Sequence, residues 1–485
     1  MKRIEMTWRI CAFLLAMLMP FCAVAASDAV NIGSRLELMV DHYLIDAMEG
    51  ARLQLHAPIP GEKVLAFDQP WEGRFVGYVT VLQDDHRYLM YYRGLPVAGK
   101  DGSDTEVTCV ALSVDGVHWE RPHLGLFEVN GTLDNNVILA GHAPFSHNFS
   151  PFLDTRPGVP GDERFKALAG SEKAGLAAFA SADGFHWRKL REEPVITDGK
   201  FDSQNVAFWS ESEGMYVSYF RTWSGGDWAG FRTISRATSP DFINWSPTEA
   251  MRFGDAPMEH LYTNQTLPYF RAPHLYTAIC ARFMPGRRVV SPEQGEALGD
   301  TARYSGDCSD TVFMTSRGGT LYNRTFMEGF VRPGVGLSNW MSRTNYPSYG
   351  LVPTGPATMA FYIQRNYAQP THYLQRMILR TDGFASVHAP YEGGEMRTKP
   401  LVFAGASLAI NYSTSAAGSV WVEIQDAEGK PLPGFSREDA DEIIGDEIER
   451  IVTWKDNADL SALAGKPVRL RFIMKDADLY AIRFK

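Results

Sequence analysis

Three carboxylic acids, two histidines and two asparagines stand at matching places in this chain, at or just ahead of apolar runs. They are Glu72 in Pro70-Trp71-Glu72-Gly73, His147-Asn148, Asp202 and Asn205 in Phe201-Asp202-Ser203-Gln204-Asn205, and Glu259-His260; a fifth place offers Tyr346 and Tyr349. If the strands that follow stood around one axis, these groups would converge at one end of it. Converging carboxyls beside aromatic rings suit the acetal chemistry of sugars. One acid, kept protonated, gives its proton to the leaving oxygen, and another, ionised, acts on the anomeric carbon or its water. Trp71, Trp209, Trp223, Trp228 and Trp340 offer faces on which a sugar could stack. A single Trp is more often core, and a single acid is as often a hydrogen-bonded loop residue, so the group carries the weight.

Neighbouring residues suggest roles. Met258, Leu261 and Tyr262 surround Glu259, and an apolar setting favours the neutral acid. Glu259 therefore reads as the general acid. Asp202, among Ser203, Gln204 and Asn205, reads as the ionised partner. Glu72 is a third carboxylate and could replace Asp202 as base. His147, Asn148, Asn205, His260, Trp71 and Arg332 read as substrate-binding residues. No cofactor is called for. Two readings stand for His147, His260, Asp307 and Asp310: ligands of a calcium or other ion near the axis, or donors to substrate hydroxyls.

What must position these residues is a repeat. An apolar strand followed by Ser-x-Asp-Gly-x-x-Trp occurs at Ser113–Trp119 and Ser181–Trp187. Ser239–Trp245 lacks the Gly, Ser316–Tyr322 ends in Tyr, and Arg380–Phe384 is the weakest copy. Asp-Gly between apolar runs is a strong hairpin signal, because Gly accepts φ > 0 and Asp bonds its own backbone. Three strands precede each turn and one follows it, so each unit has four. Five such units imply a five-bladed β-propeller. A long β-sandwich with chance turns is the competing reading.

The ends of the chain differ from its middle. Residues 1–25, with Lys2, Arg3, the apolar run Ile10–Val24 and small residues at 23–25, read as a signal peptide, which implies a secreted or periplasmic protein. Residues 26–64 form an N-terminal segment whose stretch Leu36–Ile45 alternates like a strand. It either closes the ring or wraps its outside. The propeller is expected over 65–392 and a β-sandwich over 395–485, where Lys399, Asn411 and Lys475 read as solvated surface. Cys109, Cys280 and Cys308 read as buried thiols, with a Cys280–Cys308 bond as the alternative. The net charge of −10, without a basic run, argues against nucleic acid, and no later stretch is long and apolar enough to span a membrane. The oligomeric state is not legible.

The repeat turns, the export pattern and the appended sandwich together resemble the five-bladed glycoside hydrolases, the invertase type (family 32) and the arabinanase type (family 43). The phrases Pro70–Gly73, Phe201–Trp209 and Glu259–Asn264 resemble an environmental-bacterial branch of that superfamily. The resemblance covers about residues 65–485. It implies hydrolysis of glycosidic bonds in poly- or oligosaccharides by two carboxyls in the central pocket. The Asn-Asp-Pro-Asn-Gly, Arg-Asp-Pro and Glu-Cys phrases of the invertase type are absent, so the substrate is not implied. A non-catalytic carbohydrate-binding propeller is one rival. A sialidase-like enzyme on acidic or sulfated glycans is another, and it would need arginines on the pocket face, for which Arg271, Arg282, Arg303, Arg332 and Arg343 are the candidates. A phosphorylase fits an exported protein less well.

Overall fold

The computed structural model describes residues 29–485 except 86, 302 and 303. The expected signal peptide and Arg303 therefore lie outside the described residues. Five antiparallel sheets form the propeller. Blade one contains Gly77–Asp84, Arg87–Gly94, Val107–Ser113 and Val137–Ala140; blade two contains Ser150–Leu153, Phe165–Ser171, Gly175–Ser181 and Arg188–Lys189. Blade three contains Val206–Ser210, Met215–Trp223, Arg232–Ser239 and Glu249–Ala250. In blade four an inner strand split into Leu261–Thr263 and Thr266–Tyr269 pairs with Ala272–Met284, which pairs with Cys308–Ser316. Blade five contains Val352–Pro353, Thr358–Arg365 and Tyr373–Arg380. The strands expected ahead of each turn are present, most with bounds shifted by a few residues; the strand expected after the turn is missing from the sheet of blade four, and in blade five its place is taken from another part of the chain.

The repeated phrase builds one turn several times. Ser113 Oγ accepts the Gly116 N–H at 2.9 Å, and Asp115 Oδ1 accepts those of Val117 and His118 at 2.8 Å. The Trp119 indole N–H closes the turn on the Gly116 carbonyl at 3.2 Å. Gly116 has φ 71°, where an L side chain is disfavoured. The copy without Gly keeps the same conformation: Phe242 takes φ 69° and is fully buried against Phe152, Tyr216 and Trp245. Aromatic packing offsets the backbone strain there. The first two turns also latch a neighbour, since Tyr362 Oη of blade five donates to the Gly116 carbonyl at 2.6 Å and Tyr91 Oη of blade one to that of Gly184 at 3.1 Å.

Buried amides plug the axis. Gln204 Nε2 donates to the Val79 carbonyl at 3.2 Å and to Thr80 Oγ1 at 2.9 Å. Gln265 Nε2 donates to Gln204 Oε1 at 2.6 Å and to the Pro347 carbonyl at 2.7 Å. Gln265 stands at the break in blade four's inner strand, with φ 50°. One end of the axis beyond this plug is an apolar funnel that includes Phe152, Phe208, Leu267 and Leu351. A polar pocket lined by Tyr78, Asp202, Tyr262 and Tyr346 lies on the Asp202 side of Gln204.

The domain boundaries expected from sequence need correction. Residues 59–66 are the fourth strand of blade five, paired with Tyr373–Arg380. They supply the ladder partners that this blade's own sequence lacks. Glu37–Leu38, Ile45–Glu49 and Arg52–Leu55 join an eight-stranded sheet with Ala385–Ala389, Gly394–Thr398, Leu408–Gln425, Asp446–Ile451 and Arg469–Phe484. Val30–Gly33 pairs in parallel with Leu401–Phe403. The sandwich is thus built from both ends of the chain, around a core that includes Ile410, Val422, Trp454, Leu470 and Phe484. Asn411 is buried, not solvated: it donates to the Thr381 carbonyl and to Asp382 Oδ2, both at 2.9 Å. The three cysteines are buried free thiols, so the Cys280–Cys308 bond is absent. Among the described residues, no helix is long and apolar enough to cross a membrane.

This closure makes a direct prediction. A chain starting at residue 68 should lack a cooperative thermal transition, because it loses the outer strand of blade five and the N-terminal strands of the sandwich. Soluble protein that still unfolds in one sharp calorimetric transition would show that the closing segment is dispensable.

Candidate active site

Asp202 is held at the polar end of the axis by the two asparagines expected to bind substrate. Asn148 Nδ2 donates to the carbonyls of Phe201 at 2.6 Å and Ser203 at 3.0 Å; Asn205 Nδ2 donates to the same two at 3.1 Å. Both asparagines are fully buried and clamp the backbone on either side of Asp202. They position the acid and do not face a ligand. The Asp202 side chain keeps about half of its surface open, at 47%.

Asp202 has two close cationic partners. Arg221 Nη2 donates to its Oδ2 at 3.2 Å, and His147 Nε2 lies 3.2 Å from its Oδ1. The Tyr78 hydroxyl lies 3.4 Å from Oδ1. Burial alone would raise the Asp202 pKa, but the His147 bond and the charges of Arg221, His147 and Arg343 outweigh it. The carboxyl is held well below the usual carboxylate range and stays ionised. On the other side of the imidazole, His147 Nδ1 lies 2.9 Å from Oε1 of the fully buried Glu106. Burial would lower the His147 pKa, yet its bonds to Asp202 and Glu106 leave it raised above 6.5. Both ring nitrogens can then donate. Tyr78, pushed well above the ordinary phenol value by burial and by Asp202, stays neutral.

The pocket around Asp202 is lined by Tyr78, Arg93, Asp101, Tyr262, Arg343 and Tyr346, with Gly77, Gln364 and Tyr367. Its enclosed free space is about 20 Å³, enough for one water, so a sugar ring would sit at the open rim. Asp101, Glu106 and His147 are close enough together to hold an ion. The Arg93 guanidinium already occupies their centre, 3.4 Å from Asp101, 3.6 Å from Glu106 and 3.2 Å from His147 Nδ1. A cation there would meet a fixed positive charge. Of the four residues considered as ion ligands, His147 alone belongs to this group. Asp307 caps the Gly286 N–H at 2.6 Å, Asp310 pairs with Arg282 at 2.6 Å, and His260 Nδ1 accepts the Arg232 N–H at 3.1 Å.

Several expected site residues lie elsewhere. Glu72 is fully buried, receiving Tyr92 Oη at 2.6 Å and Arg121 Nε at 2.8 Å. It ties blade one together and has no open face. Trp71 is core, its indole N–H bonded to Asn136 Oδ1 at 2.9 Å. Glu259 does not line the Asp202 pocket. Arg282 Nη1 donates to it at 2.8 Å, Arg324 grips its other oxygen, and it lines an adjacent recess with Arg332, Asp310 and Trp340. Two guanidinium groups surround it, in place of the apolar setting inferred from its sequence neighbours. His260 packs on Trp223 and Phe231, and burial beside Arg232 lowers its pKa.

Asp101, Glu106, Tyr78, Arg93 and Arg221 were not singled out by the sequence reading. A signal for the arginines existed: the second strands of blades one, three, four and five carry Arg93, Arg221, Arg282 and Arg365 at or near their ends. The first three pair with the acids Asp101 and Glu106, Asp202, and Glu259 and Asp310 respectively.

No family model matches this chain, and no curated protein matches it. Solved structures similar to it include one described as a glycoside hydrolase, 10% identical, covering 67% of this chain and 92% of that one with a TM-score of 0.46. Another is an N-acetylgalactosamine deacetylase from F. plautii in complex with blood group B trisaccharide, 12% identical, with 68% and 96% covered and a TM-score of 0.46. A third is a family 43 arabinoxylan arabinofuranohydrolase from Bacillus subtilis in complex with cellotetraose, 13% identical, with 85% and 96% covered and a TM-score of 0.40. These structures include both hydrolase and deacetylase, so they select no reaction.

The Asp202–His147 pair sets a pH window for stability. Asp202, whose folded pKa lies below its unfolded value of about 3.9, adds stability that is present above about pH 4 and lost as pH falls through the folded value. His147, raised in the fold, adds stability that is complete below about pH 6.5 and lost as pH rises through the folded value. His147→Gln should therefore lower the urea midpoint more at pH 5.5 than at pH 9. An equal difference at both values would show that the imidazole carries no such charge.

Proposed function

We propose that this protein is an exported glycoside hydrolase whose chemistry takes place in the axial pocket. The observation that carries this reading is Asp202: an ionised carboxylate with an open face, clamped on both sides of its backbone and set among tyrosine rings at the converging ends of the blades. An enforced carboxylate of this kind suits attack on an anomeric carbon or activation of a water. Tyr78, Tyr262 and Tyr346 give the pocket aromatic walls below a sugar at the rim. The second carboxyl that lines the same pocket is Asp101, 40% exposed on the loop after Arg87–Gly94. It stands in this proposal as the second carboxyl, the place expected of Glu259. The N-terminal pattern of charge, apolar run and small residues supports export.

A panel of neutral, acidic and sulfated oligosaccharides incubated with the purified protein tests the reading. Hydrolysis of at least one member is expected. Asp202→Asn should lower its turnover by about a thousandfold or more with the fold intact, and Asp101→Asn by about a hundredfold. Glu259→Gln should change turnover only a few fold below its melting temperature. Sugar binding without hydrolysis of any panel member would put the binding-module reading in its place, activity surviving Asp202→Asn would remove Asp202 from the chemistry, and loss on Glu259→Gln comparable to that on Asp202→Asn would restore Glu259 as a catalytic carboxyl.

A further inference from the structure

The guanidinium groups around the axial pocket outnumber those that acids neutralise. Arg93 is paired with Asp101 and Glu106, and Arg221 with Asp202. Arg343 and Arg232 have no carboxylate within ion-pair distance among the described residues. Arg343 lines the pocket, donates from Nη1 to Tyr304 Oη at 3.0 Å and stacks over that ring at 4.9 Å. Arg232 lies over Trp223 at 4.7 Å, Phe283 at 4.7 Å and the pocket-lining Tyr262 at 5.4 Å. Its Nε is buried without a hydrogen-bond partner, as is that of Arg221.

Withdrawing a guanidinium from water without a counter-ion is costly. Ring faces offset part of that cost, but they leave the in-plane N–H groups unsatisfied. Arg343 is also held at φ 60°, a conformation disfavoured for a residue with a side chain, and its carbonyl is fixed by Gln364 Nε2 at 2.5 Å. Strain and a charge with no carboxylate in contact coincide at the pocket wall. The positive end of the site is therefore built for something that arrives.

We propose that Arg343 on the wall of the axial pocket, with Arg232 beside it against the pocket-lining Tyr262, forms an oxyanion site that takes the carboxylate or sulfate of an acidic sugar. The planar guanidinium fork matches such groups. The inference rests on the reading that this pocket binds sugar. A free inorganic anion would present the same chemistry, and the experiment separates the two.

Titration calorimetry on the wild-type protein with monosaccharides needs no turnover. Glucuronic acid, galacturonic acid and galactose 6-sulfate are compared with glucose and galactose, and with inorganic phosphate and sulfate. At least one acidic sugar should bind tenfold or more tightly than its neutral parent. Arg343→Gln and Arg232→Gln should each remove most of that preference, Arg343→Lys should keep part of it, and Arg437→Gln on the sandwich should leave it unchanged. Thermal unfolding checks that each variant is folded, and Arg343→Lys serves if the glutamine variant is not. Equal binding of acidic and neutral sugars, or a preference that survives both glutamine substitutions, overturns the proposal. So does binding of inorganic anions with no gain for sugars that carry the charge. An acidic-sugar preference without hydrolysis of any oligosaccharide would remove the proposed reaction and leave this site standing.

Discussion

The structure depends on amide hydrogen bonds at the axis. Five inner strands can surround a line only if their bulged and broken backbones find partners in the space between them, because an unpaired buried peptide group is costly. Gln204 from blade three and Gln265 from blade four meet that demand at the carbonyls of Val79 in blade one and of Pro347 in the segment entering blade five. Blade four breaks its inner strand at Asn264 and Gln265 to bring one of these amides inward. The plug also divides the axis. Apolar residues can line one end, and charged groups can gather at the other.

That division explains the electrostatics of the site. Contacts with His147 and Arg221 hold the Asp202 carboxyl low, and bonds to Asp202 and Glu106 raise the His147 imidazole against its burial and the charge of Arg93. Each member's charge state is the condition for the other's. Glu259, its counterpart ahead of blade four's inner strand, has Arg282 and Arg324 on its two oxygens and stays closed to the axial pocket. The same position in two blades thus yields an open carboxylate in one and a structural ion pair in the other.

Most of the propeller was legible in the sequence, because period-two strands and Asp-Gly turns are local signals. Even the copy that lost its Gly kept its turn, since Asp241 still caps the backbone N–H groups of Ile243 and Asn244. The part misread was the role of residues 30–66. Their partners lie near the other end of the chain, and no local pattern records such a pairing. Within the site, Asp202 and His147 followed from placing residues ahead of inner strands. Glu72 followed from the same rule and proved to be internal, because Arg121 and Tyr92 claim it. Whether an acid faces a cavity or a neighbour is decided by side chains that arrive from distant segments.

The sandwich's double origin bears on how the molecule comes into being. Gly61 and Gln375, 314 positions apart, meet across blade five, and Ser34 meets Arg483 across 449. Contacts of such separation must wait for nearly the whole polypeptide, and long-range strand pairing is intrinsically slow. The first strands to be synthesised remain without their final partners until the last have been made. The two architectural units therefore cannot mature one after the other. An emerging chain stays incomplete for most of its synthesis, and the sandwich, whose sheet is centred on Arg469–Phe484, is completed only at its end.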